Sequence, residues 1–377
     1  MTICQLIQYF EVGGIERMVL ALSRGAARAG VRSVVVGYAG DGDFRNAFTS
    51  AGIATQFLPP RFRPGSGGLR PDLVFQFADL LRRERCDVIH THHVGPFIYG
   101  GAAAAIVGVP HVHTEHSREL YDRKRRQWIG RFMPRFARVV TVTSELSDWR
   151  RQHFGDDAEV VLNGVHVPPV VGGPVRTTAR RQLDLPDDAF VVGCVARLSQ
   201  EKDHQTLLDA VAILRQRTPN AALVLAGDGA ERAELETRAG QADLAGAVRF
   251  LGSVTDVDQV YDACDVVALT SRREGLPLAL LEAMAHGKPV VASAVGGIPA
   301  LLEGGGGTTV PPGEPAQVAA ALFEYATNDK KRRSDGLSAR SLVTDHYSEG
   351  KMVERYLAMY RDAAARKAVG NASGRMI

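Results

Sequence analysis

Cysteine is scarce in this chain, with four among 377 residues, and the four form no recognisable pair. Their wide spacing matches neither a zinc site nor a disulfide framework. They lie mostly beside apolar runs that predict strands, where a small buried thiol is common. The sequence therefore predicts reduced core cysteines and a cytosolic protein. The four are Cys4, Cys86, Cys194 and Cys264.

Long hydrophobic runs and a strong excess of one charge are also missing. The longest stretch of small apolar residues, 100–110, is about half the length of a membrane-spanning helix. The first ten residues predict a strand, since they lack the basic and apolar regions of a signal peptide. The net charge is only +3, which does not favour nucleic acid as a partner. These features predict a cytoplasmic globular protein without a membrane span.

Several signatures of nucleotide and metal enzymes do not occur. The nearest approach to G-x-G-x-x-G is the segment 227–229, which has Arg232 where the third glycine belongs. Gly-Lys at 287–288 is followed by Pro289, so there is no P-loop, and there is no H-E-x-x-H zinc motif. An NAD-dependent dehydrogenase is therefore disfavoured, and no metal is expected.

The chain does contain an alternation of short apolar strands and amphipathic helices, and this alternation occurs twice. The segment 166–174 is rich in proline and glycine and is interpreted as a linker between the two halves. The predicted strands are 3–10, 31–37, 53–58, 87–92, 111–114, 139–143, 190–196, 221–226, 248–251, 266–269 and 289–292.

Strands that alternate with helices favour parallel sheets covered on both faces. The predicted fold class is therefore α/β, with two tandem Rossmann-like domains at 1–168 and 169–345 and a C-terminal segment at 346–377. In such a fold, ligands are expected in the cleft where the carboxyl ends of the two sheets face each other. A last amphipathic helix is predicted at about 348–363, and residues after Arg366 are predicted to be disordered.

The strongest chemical signal is a pair of glutamates, Glu274 and Glu282, on either side of a helix start predicted at Pro277. The N-terminus of that helix suits a diphosphate, because its N–H groups and dipole attract anions. Glu282 is placed to bind ribose hydroxyls, and Glu274 to hold a hydroxyl of a transferred sugar. The alternative is that both are ordinary solvated glutamates.

Two cations follow the strand predicted at 190–196. Arg197 and Lys202 could clamp a diphosphate and offset the charge that develops on it as a glycosidic bond breaks. They could equally be surface residues paired with Glu201 or Asp203. The segment 227–229 is a tight turn that lets a backbone approach a ligand, or it is a plain strand-to-helix turn.

In the first half, Gly13 and Gly14 open the first predicted helix and could touch either substrate. Histidines cluster after two predicted strands, but their spacing does not indicate a metal site. His116 is interpreted as a sugar-contacting residue, whereas His90 and His111 are interpreted as structural.

Four segments together resemble the retaining glycosyltransferases of family 4, which have the two-domain GT-B fold. These are Glu-x7-Glu followed by Ala-Met-Ala-x-Gly-x-Pro-Val-Val, Arg-Leu-x-x-Glu-Lys, Asn-Gly-Val at 163–165, and the Gly-Gly-x-Glu start. The resemblance runs from Gly13 to about Tyr360, with the motifs in the expected order.

The resemblance implies a role for each candidate. It implies that the last helix crosses back onto the first domain. It implies that His116 lies by the sugar and acceptor, and that Glu274 holds the donor sugar. The implied donor-binding residues are Gly14 near the phosphates, Arg197 and Lys202 at the diphosphate, Glu282 at the ribose, the backbone near Val254 at the base, and the backbone of Gly275, Leu276 and Pro277 at the sugar.

The reaction implied is transfer of a sugar with retention of anomeric configuration, without a metal or other cofactor. The donor is a UDP- or GDP-sugar, with UDP favoured by the breadth of the family. Other interpretations are a nucleotide-sugar epimerase on the same fold, a dehydrogenase, or a non-catalytic protein that binds sugar nucleotides. A phosphorylase would need a lysine-bound pyridoxal phosphate and a longer chain.

The segment 118–138 carries eight basic residues and two acidic ones, a net charge of +6. Trp128, Phe132 and Phe136 recur within it at every fourth position. It is interpreted either as a helix that lies on anionic lipid, at the inner face of the plasma membrane, or as one packed on the first sheet by its aromatic residues. The lipid interpretation favours a lipid-linked sugar or a glycan as acceptor, in polysaccharide or glycoconjugate synthesis.

Overall fold

The computed structural model describes residues 1–59, 70–117, 121, 124–169, 173–254 and 256–373. The chain divides into two compact units, one formed by Met1–Gly164 with Glu349–Ile377 and the other by Val165–Ser348. The boundaries predicted at 168 and 345 lie four residues after Gly164 and three before Ser348.

The first unit is a parallel sheet with helices between its strands. Its elements are β1 (Thr2–Leu6), α1 (Gly14–Arg28), β2 (Arg32–Gly37), α2 (Arg45–Ser50), β3 (Ala54–Phe57), α3 (Pro71–Arg83), β4 (Val88–His92), α4 (Val94–Val107), β5 (His111–Glu115), α5 (Lys124–Phe132), a 3-10 turn (Met133–Arg135), β6 (Arg138–Thr141), α6 (Ser144–Phe154) and β7 (Glu159–Val160).

The second unit repeats this plan, and the chain then ends in a helix that belongs to the first unit. The elements are α7 (Gly173–Gln182), β8 (Phe190–Val195), α8 (His204–Arg215), β9 (Ala221–Ala226), α9 (Arg232–Ala239), β10 (Val248–Gly252), α10 (Asp258–Ala263), β11 (Val266–Leu269), α11 (Leu278–Ala285), β12 (Val290–Ser293), α12 (Ile298–Leu302), β13 (Gly307–Val310), α13 (Pro315–Thr327), α14 (Asp329–His346) and α15 (Glu349–Ser373).

Both sheets have the same kind of strand order. The first runs β3-β2-β1-β4-β5-β6-β7 and the second runs β10-β9-β8-β11-β12-β13. All strand pairs are parallel. The order reverses between β1 and β4, and between β8 and β11, and ligands of such sheets bind outside the carboxyl ends at this reversal. The predicted fold class, with two parallel Rossmann-like sheets, is confirmed.

The central strands are buried on both faces, which explains their nearly continuous apolar sequences. In β9 all six residues, Ala-Ala-Leu-Val-Leu-Ala, are buried. β4 and β5 are exceptions, because their sequences Val-Ile-His-Thr-His and His-Val-His-Thr-Glu are fully buried although three and four of their five residues are polar. Buried polar side chains need hydrogen-bond partners, so these two strands must be surrounded by them.

The sequence missed two short edge strands, β7 and β13. Two residues are too few to show a period, and β13 begins in a run of glycines. The prediction of disorder after Arg366 is wrong as far as Ser373, because α15 continues through a segment rich in alanine and basic residues, which are good helix formers. Residues 374–377 lie outside the described residues.

The helix α15 packs on α1 and β4 of the first unit. A side chain at Gly25 of α1 would clash with Val353, so glycine allows the two helices to approach closely. The predicted stripe of α15 is buried, and it includes Tyr356 and Tyr360, each fully buried. Among the described residues, no helix combines the length and apolar character needed to cross a membrane.

Candidate functional site

The reversal point of the second sheet brings two predicted site residues into direct contact. Lys202 lies in the loop after β8, and Glu274 lies in the loop after β11. The Lys202 Nζ atom is 2.6 Å from Glu274 Oε1, and the Ser271 hydroxyl donates to the same oxygen at 2.6 Å. The Glu274 side chain is only 8% exposed. Ion pairing and a hydroxyl donor therefore hold the carboxylate in one orientation.

The alternative partners considered for Lys202 are occupied by other residues. Glu201 forms an ion pair with Arg273 at 3.0 Å, and the Asp203 carboxylate accepts from Arg272 at 3.0 Å. Arg197 is exposed and forms no ion pair with any residue in the described ranges. The interpretation of both cations as partners of Glu201 or Asp203 is therefore wrong, and Arg197 is left available for an anion.

The helix that follows Glu274 begins one residue later than predicted. Pro277 is the N-cap of α11, with an extended backbone, and no side chain caps the helix. Its first N–H groups therefore point away from the helix without a side-chain acceptor, which favours an anion there. Pro277 itself has no N–H group, so of the three predicted backbone contacts only Gly275 and Leu276 can donate a hydrogen bond.

The second glutamate is also held by a hydroxyl. Tyr261, which is fully buried in α10, donates to Glu282 Oε2 at 2.8 Å. Glu282 itself is partly buried on α11. The interpretation of Glu274 and Glu282 as ordinary solvated residues is therefore wrong. Sequence reasoning missed Ser271 and Tyr261, because a hydroxyl that orients a carboxylate leaves no spacing pattern.

Two glycine turns fix the loops around these residues. Gly296 has φ 55°, and a side chain there would clash with the backbone carbonyl of Glu274. Gly227 has φ 147°, and a side chain there would clash with the Ala196 carbonyl, next to Arg197. The glycine at 227 is thus explained by packing of one protein loop on another, and Gly296 was not singled out in the sequence.

The segment predicted to lie near the nucleotide base comes directly after β10. Val254 follows the last residue of that strand, Gly252, by two positions, and its side chain packs partly buried against the core of the second unit. Gly252 also accepts a hydrogen bond from the Gly227 N–H at 2.8 Å, which ties the end of β10 to the end of β9. A base contact through the backbone of Val254 stays a prediction.

At the reversal point of the first sheet, α1 begins directly with glycine. Gly13 is the N-cap, Gly14 is the first helical residue, and no side chain caps the helix. A side chain at Gly13 would clash with the carboxylate of Glu16, which is 6% exposed in the first turn. Glycine at this position therefore leaves room for the Glu16 carboxylate on the same helix, a contact that sequence reasoning did not consider.

His116 follows β5 at the same edge of the first sheet. Its Nε2 atom is 3.2 Å from Nδ1 of His92, which ends β4. Burial, with a smaller effect from His93, lowers the pKa of His116 to about 3. The imidazole is therefore neutral at neutral pH, able to accept or donate one hydrogen bond at each nitrogen but not to act as a cation.

His90 and His111 form hydrogen bonds with protein side chains, in agreement with a structural role. His90 bonds through one nitrogen to Tyr360 at 2.6 Å and through the other to Thr114 at 2.7 Å. His111 bonds to Thr91 at 2.8 Å. Within the described ranges, no group of three or more His, Cys, Asp or Glu side chains is arranged to hold a metal ion.

His93 has a backbone conformation that sequence could not reveal. With φ 76° and ψ 163° it lies in a region used almost only by glycine. Such a conformation costs about 1–3 kcal/mol and occurs mainly at functional sites. Its position, between β4 and the N-terminus of α4, is at the reversal point of the sheet.

Part of the basic aromatic segment falls outside the described residues, namely 118–120 and 122–123. In the described part, Trp128, Phe132 and Phe136 are 61%, 41% and 64% exposed. The residues that pack inward are Ile129 and Met133. The interpretation of this helix as packed by its aromatic stripe is therefore wrong.

Two family models match the chain. Residues 175–341 match the model described as Glycosyl transferases group 1, and residues 12–167 match the model described as Glycosyltransferase Family 4.

Two relatives align with nearly the whole chain. The D-inositol 3-phosphate glycosyltransferase of Stackebrandtia nassauensis is 32% identical, over 95% of this chain and 89% of the relative. The 2-deoxystreptamine N-acetyl-D-glucosaminyltransferase of Streptomyces fradiae is 29% identical, over 97% of this chain and 94% of the relative.

A solved structure has the same fold. The Anabaena protein HepE, in complex with UDP and glucose, superposes with a TM-score of 0.85 and 26% identity, covering 96% of this chain and 100% of HepE. The similarity therefore extends over both units and not over one Rossmann-like sheet alone.

Proposed function

Because the chain belongs to the family 4 glycosyltransferases of the GT-B fold, we propose that it transfers a hexose from a UDP-sugar to an acceptor hydroxyl, with retention and without a metal. The observation that carries the proposal is the contact of Lys202 and Ser271 with the nearly buried Glu274 at the reversal point of the second sheet. This arrangement combines a fixed hydrogen-bond acceptor with a cation.

The second unit supplies what a sugar diphosphate requires. Arg197, Lys202 and the uncapped start of α11 offer positive charge and N–H donors to the diphosphate. The same groups offset the charge that develops on the departing UDP. Glu274 accepts a hydrogen bond from a hydroxyl of the donor sugar, because its carboxylate is already oriented by its two partners.

The ribose is assigned to Glu282, whose carboxylate is oriented by Tyr261. The uracil base is assigned to the backbone near Val254. UDP is favoured over GDP because HepE, at 26% identity, was solved with UDP and glucose. Gly13 and Gly14, at the uncapped start of α1, are assigned to the phosphates, and His116 to a hydroxyl of the sugar or acceptor.

Retention is proposed to proceed on one face of the sugar. The bond from the anomeric carbon to the phosphate oxygen breaks, and the bond to the acceptor oxygen forms on the same face. The acceptor proton passes to the departing phosphate oxygen.

Two classes of acceptor are supported by different observations. The exposed aromatic residues Trp128, Phe132 and Phe136, in the basic segment 118–138, support a glycan or a lipid-linked sugar as acceptor. The names of two relatives, which act on inositol phosphate and deoxystreptamine, support a cyclic polyol. A panel of both acceptor classes, assayed with UDP-glucose and UDP-N-acetylglucosamine, decides between them by which product forms.

The exposed aromatic residues support the first of the two interpretations of the segment 118–138, contact with an anionic membrane at the inner face of the plasma membrane. Phe136 borders a groove of about 920 Å³ that is also lined by Arg135, Arg138, Arg366 and Lys367. Cosedimentation with vesicles of anionic and of zwitterionic lipid tests this. We expect binding to anionic vesicles only, and its loss when Trp128, Phe132 and Phe136 are replaced by serine.

The first experiment is thermal unfolding with UDP, GDP, ADP and NAD. A nucleotide at a hundred times its Kd adds about 2.7 kcal/mol to the folded state, and the transition rises by several degrees. We expect a rise with UDP that is lost in Lys202→Ala. Lys331→Ala is the matched control, since Lys331 is in the same unit, is 29% exposed and also pairs with an acid, Asp335, at 2.9 Å.

The competing functions give different outcomes. Conversion of the UDP-sugar to its epimer without acceptor would indicate the epimerase, and UDP binding without any turnover would indicate the non-catalytic protein. A rise of the unfolding temperature with NAD alone would overturn the proposal. The anomeric configuration of the product, read by NMR, tests retention, and full activity in the presence of a chelator tests metal independence.

A further inference from the structure

A continuous line of buried polar side chains connects α15 to His116 in the first unit. The Gln5 amide nitrogen on β1 donates to the Tyr360 hydroxyl at 3.3 Å. The Gln5 carbonyl oxygen lies 3.1 Å from Nε2 of His92, and Nδ1 of His92 lies 3.2 Å from Nε2 of His116. Gln5, His92 and Tyr360 are fully buried, so water does not compete for these bonds.

The direction of these hydrogen bonds follows from the Gln5 carbonyl oxygen, which can only accept. His92 must therefore carry its proton on Nε2. A neutral imidazole has one N–H, so Nδ1 of His92 is bare and must accept from His116. His116 then carries its proton on Nε2, and its Nδ1 is a bare acceptor.

We infer that Gln5 is a positioning residue that fixes the tautomer of His116, through His92, so that His116 presents Nδ1 as a hydrogen-bond acceptor. Both histidines are neutral in this arrangement, since burial lowers the pKa of His116 to about 3 and holds that of His92 well below its usual value. No other described side chain forms a hydrogen bond with Nδ1 of His116.

The orientation of the Gln5 amide is the element on which the tautomer depends. A flipped amide would present its N–H to His92 and reverse both tautomers. Tyr360 accepts from the amide nitrogen, and its hydroxyl in turn contacts Nδ1 of His90 at 2.6 Å. The register of β1 against β4 places Gln5 opposite His90, so the strand pairing holds the whole line in place.

The consequence for binding rests on the proposed function. A bare Nδ1 accepts a hydrogen bond from an alcohol and repels a carboxylate or phosphate oxygen, whose lone pairs would face its own. His116 therefore selects a hydroxyl of the sugar or acceptor, and it does not supply a proton to the reaction.

The test is long-range proton–nitrogen NMR of the full chain labelled with 15N-histidine and free of ligand, in which the two tautomers give different nitrogen shifts and couplings. The chain has 11 histidines, so His116→Gln assigns the signal. We expect the Nε2–H tautomer for His116. Finding the Nδ1–H tautomer, or a protonated ring, at pH 7 would overturn the inference whatever the enzyme's activity.

Gln5→Met tests the cause, because it keeps the length of the side chain and removes both amide groups. We expect His116 to become a mixture of tautomers. Should this variant not fold, Tyr360→Phe, which removes the acceptor of the amide nitrogen, is expected to shift the signal in the same direction. An unchanged Nε2–H signal in the variant that folds would refute a role for Gln5.

The matched control is Thr91→Val, on β4 but on the opposite face of the sheet, where it bonds His111 and His113 at 2.8 and 2.9 Å. It also removes a buried hydroxyl from a histidine cluster, and it should leave the tautomer of His116 unchanged. In activity assays, Gln5→Met should lower kcat/KM about threefold to tenfold without changing the thermal shift with UDP. An equal loss in Thr91→Val would contradict a specific role for Gln5.

Discussion

The carboxyl edges of the two sheets have the same strand order and opposite chemistry. At the second sheet Lys202 pairs with Glu274, and Arg197, in the same loop as Lys202, is exposed. At the first sheet the edge is lined by neutral histidines, and burial lowers the pKa of His116 to about 3. One fold thus supports two kinds of recognition. Charges suit the diphosphate, whereas neutral donors and acceptors suit sugar hydroxyls.

The same comparison extends to the buried ion pairs of the two units. In the first, Arg150 is fully buried and binds Glu115 and Asp156. In the second, Arg180 is 1% exposed, and binds Asp265 at 2.8 Å as well as several backbone carbonyls. Each pair ties strands to a helix in its own unit, and this allows the units to be perturbed separately.

The largest expected effect of a single substitution is on stability. Arg150→Met removes the partner of the buried Glu115 and of the partly buried Asp156, and we expect the first unit to lose about 3–5 kcal/mol. Tryptophan fluorescence measures this, because both tryptophans of the chain, Trp128 and Trp149, belong to the first unit.

Arg180→Met is the matched control in the second unit. It should leave the midpoint of the fluorescence transition unchanged and lower the midpoint of the unfolding transition followed by circular dichroism. An equal fall of the fluorescence midpoint in both variants would show that the two units do not unfold separately, and would remove the basis of the comparison.

The next largest effect is on turnover. Glu274→Gln removes the partner of Lys202 and the charged acceptor for the sugar, and we expect kcat to fall about 100-fold to 1,000-fold. The affinity for UDP should change little, since UDP lacks the transferred sugar that Glu274 is proposed to bind. The measurements are kcat and calorimetric UDP binding, with Glu201→Gln as control, because the exposed Glu201 pairs with Arg273. A loss of UDP binding equal to the loss of kcat would place Glu274 at the nucleotide instead.

The order of strands and helices could be predicted from the sequence, because the buried strands of a parallel sheet are nearly continuous apolar runs. β9 and β11 were predicted with their observed ends, 221–226 and 266–269. Charged residues in an unusual setting, such as Glu274 and Lys202, were also visible as candidates, although their roles stay predictions.

What the sequence could not show is which residues meet. The contact of Lys202 with Glu274 joins loops 72 positions apart. The hydroxyls of Ser271 and Tyr261, the strained backbone of His93 and the amide of Gln5 depend on strand pairing and burial. None of these produces a motif. The partners of Tyr261 and Gln5 are distant in the chain, and Ser271, although only three residues from Glu274, is not distinguished in the sequence from any other serine.

A further effect on stability is expected on lowering the pH from 7.5 to 5.5. Burial lowers the pKa values of His90, His92, His111, His113 and His116, with His111 at about 4 and His116 at about 3. The unfolded chain binds these protons below about pH 6.5, so stability is present above that pH and is lost as the pH falls towards the folded values.

Each histidine can contribute about 1.4 kcal/mol per pH unit within this window. In the second unit the pKa values of two histidines are shifted in opposite directions. Burial lowers the pKa of His204 to about 4, whereas Asp258 and Asp262 raise that of His286 against the effect of burial. We therefore expect the fluorescence midpoint to fall further than the transition of the second unit. Equal falls would contradict the contrast between the two edges.

The smallest expected effect concerns Glu282, at the carboxyl edge of the second sheet. Tyr261→Phe removes the hydroxyl that donates to Glu282 and keeps the ring, which packs 5.3 Å from the ring of His286. Loss of one hydrogen bond weakens UDP binding by about 0.5–1.5 kcal/mol, roughly threefold to tenfold, if Glu282 holds the ribose. Calorimetric titration with UDP and with 2′-deoxy-UDP measures it.

The deoxy nucleotide makes this prediction specific. If Glu282 binds the 2′-hydroxyl, the wild-type protein should bind 2′-deoxy-UDP more weakly, and Tyr261→Phe should add little to that loss. Tyr325→Phe is the control, since Tyr325 is equally buried in the second unit and donates to another carboxylate, Asp335, at 2.7 Å. Full additivity of the Tyr261 and deoxy effects would mean that Glu282 does not contact the 2′-hydroxyl, and that Tyr261 acts on the fold of the second unit alone.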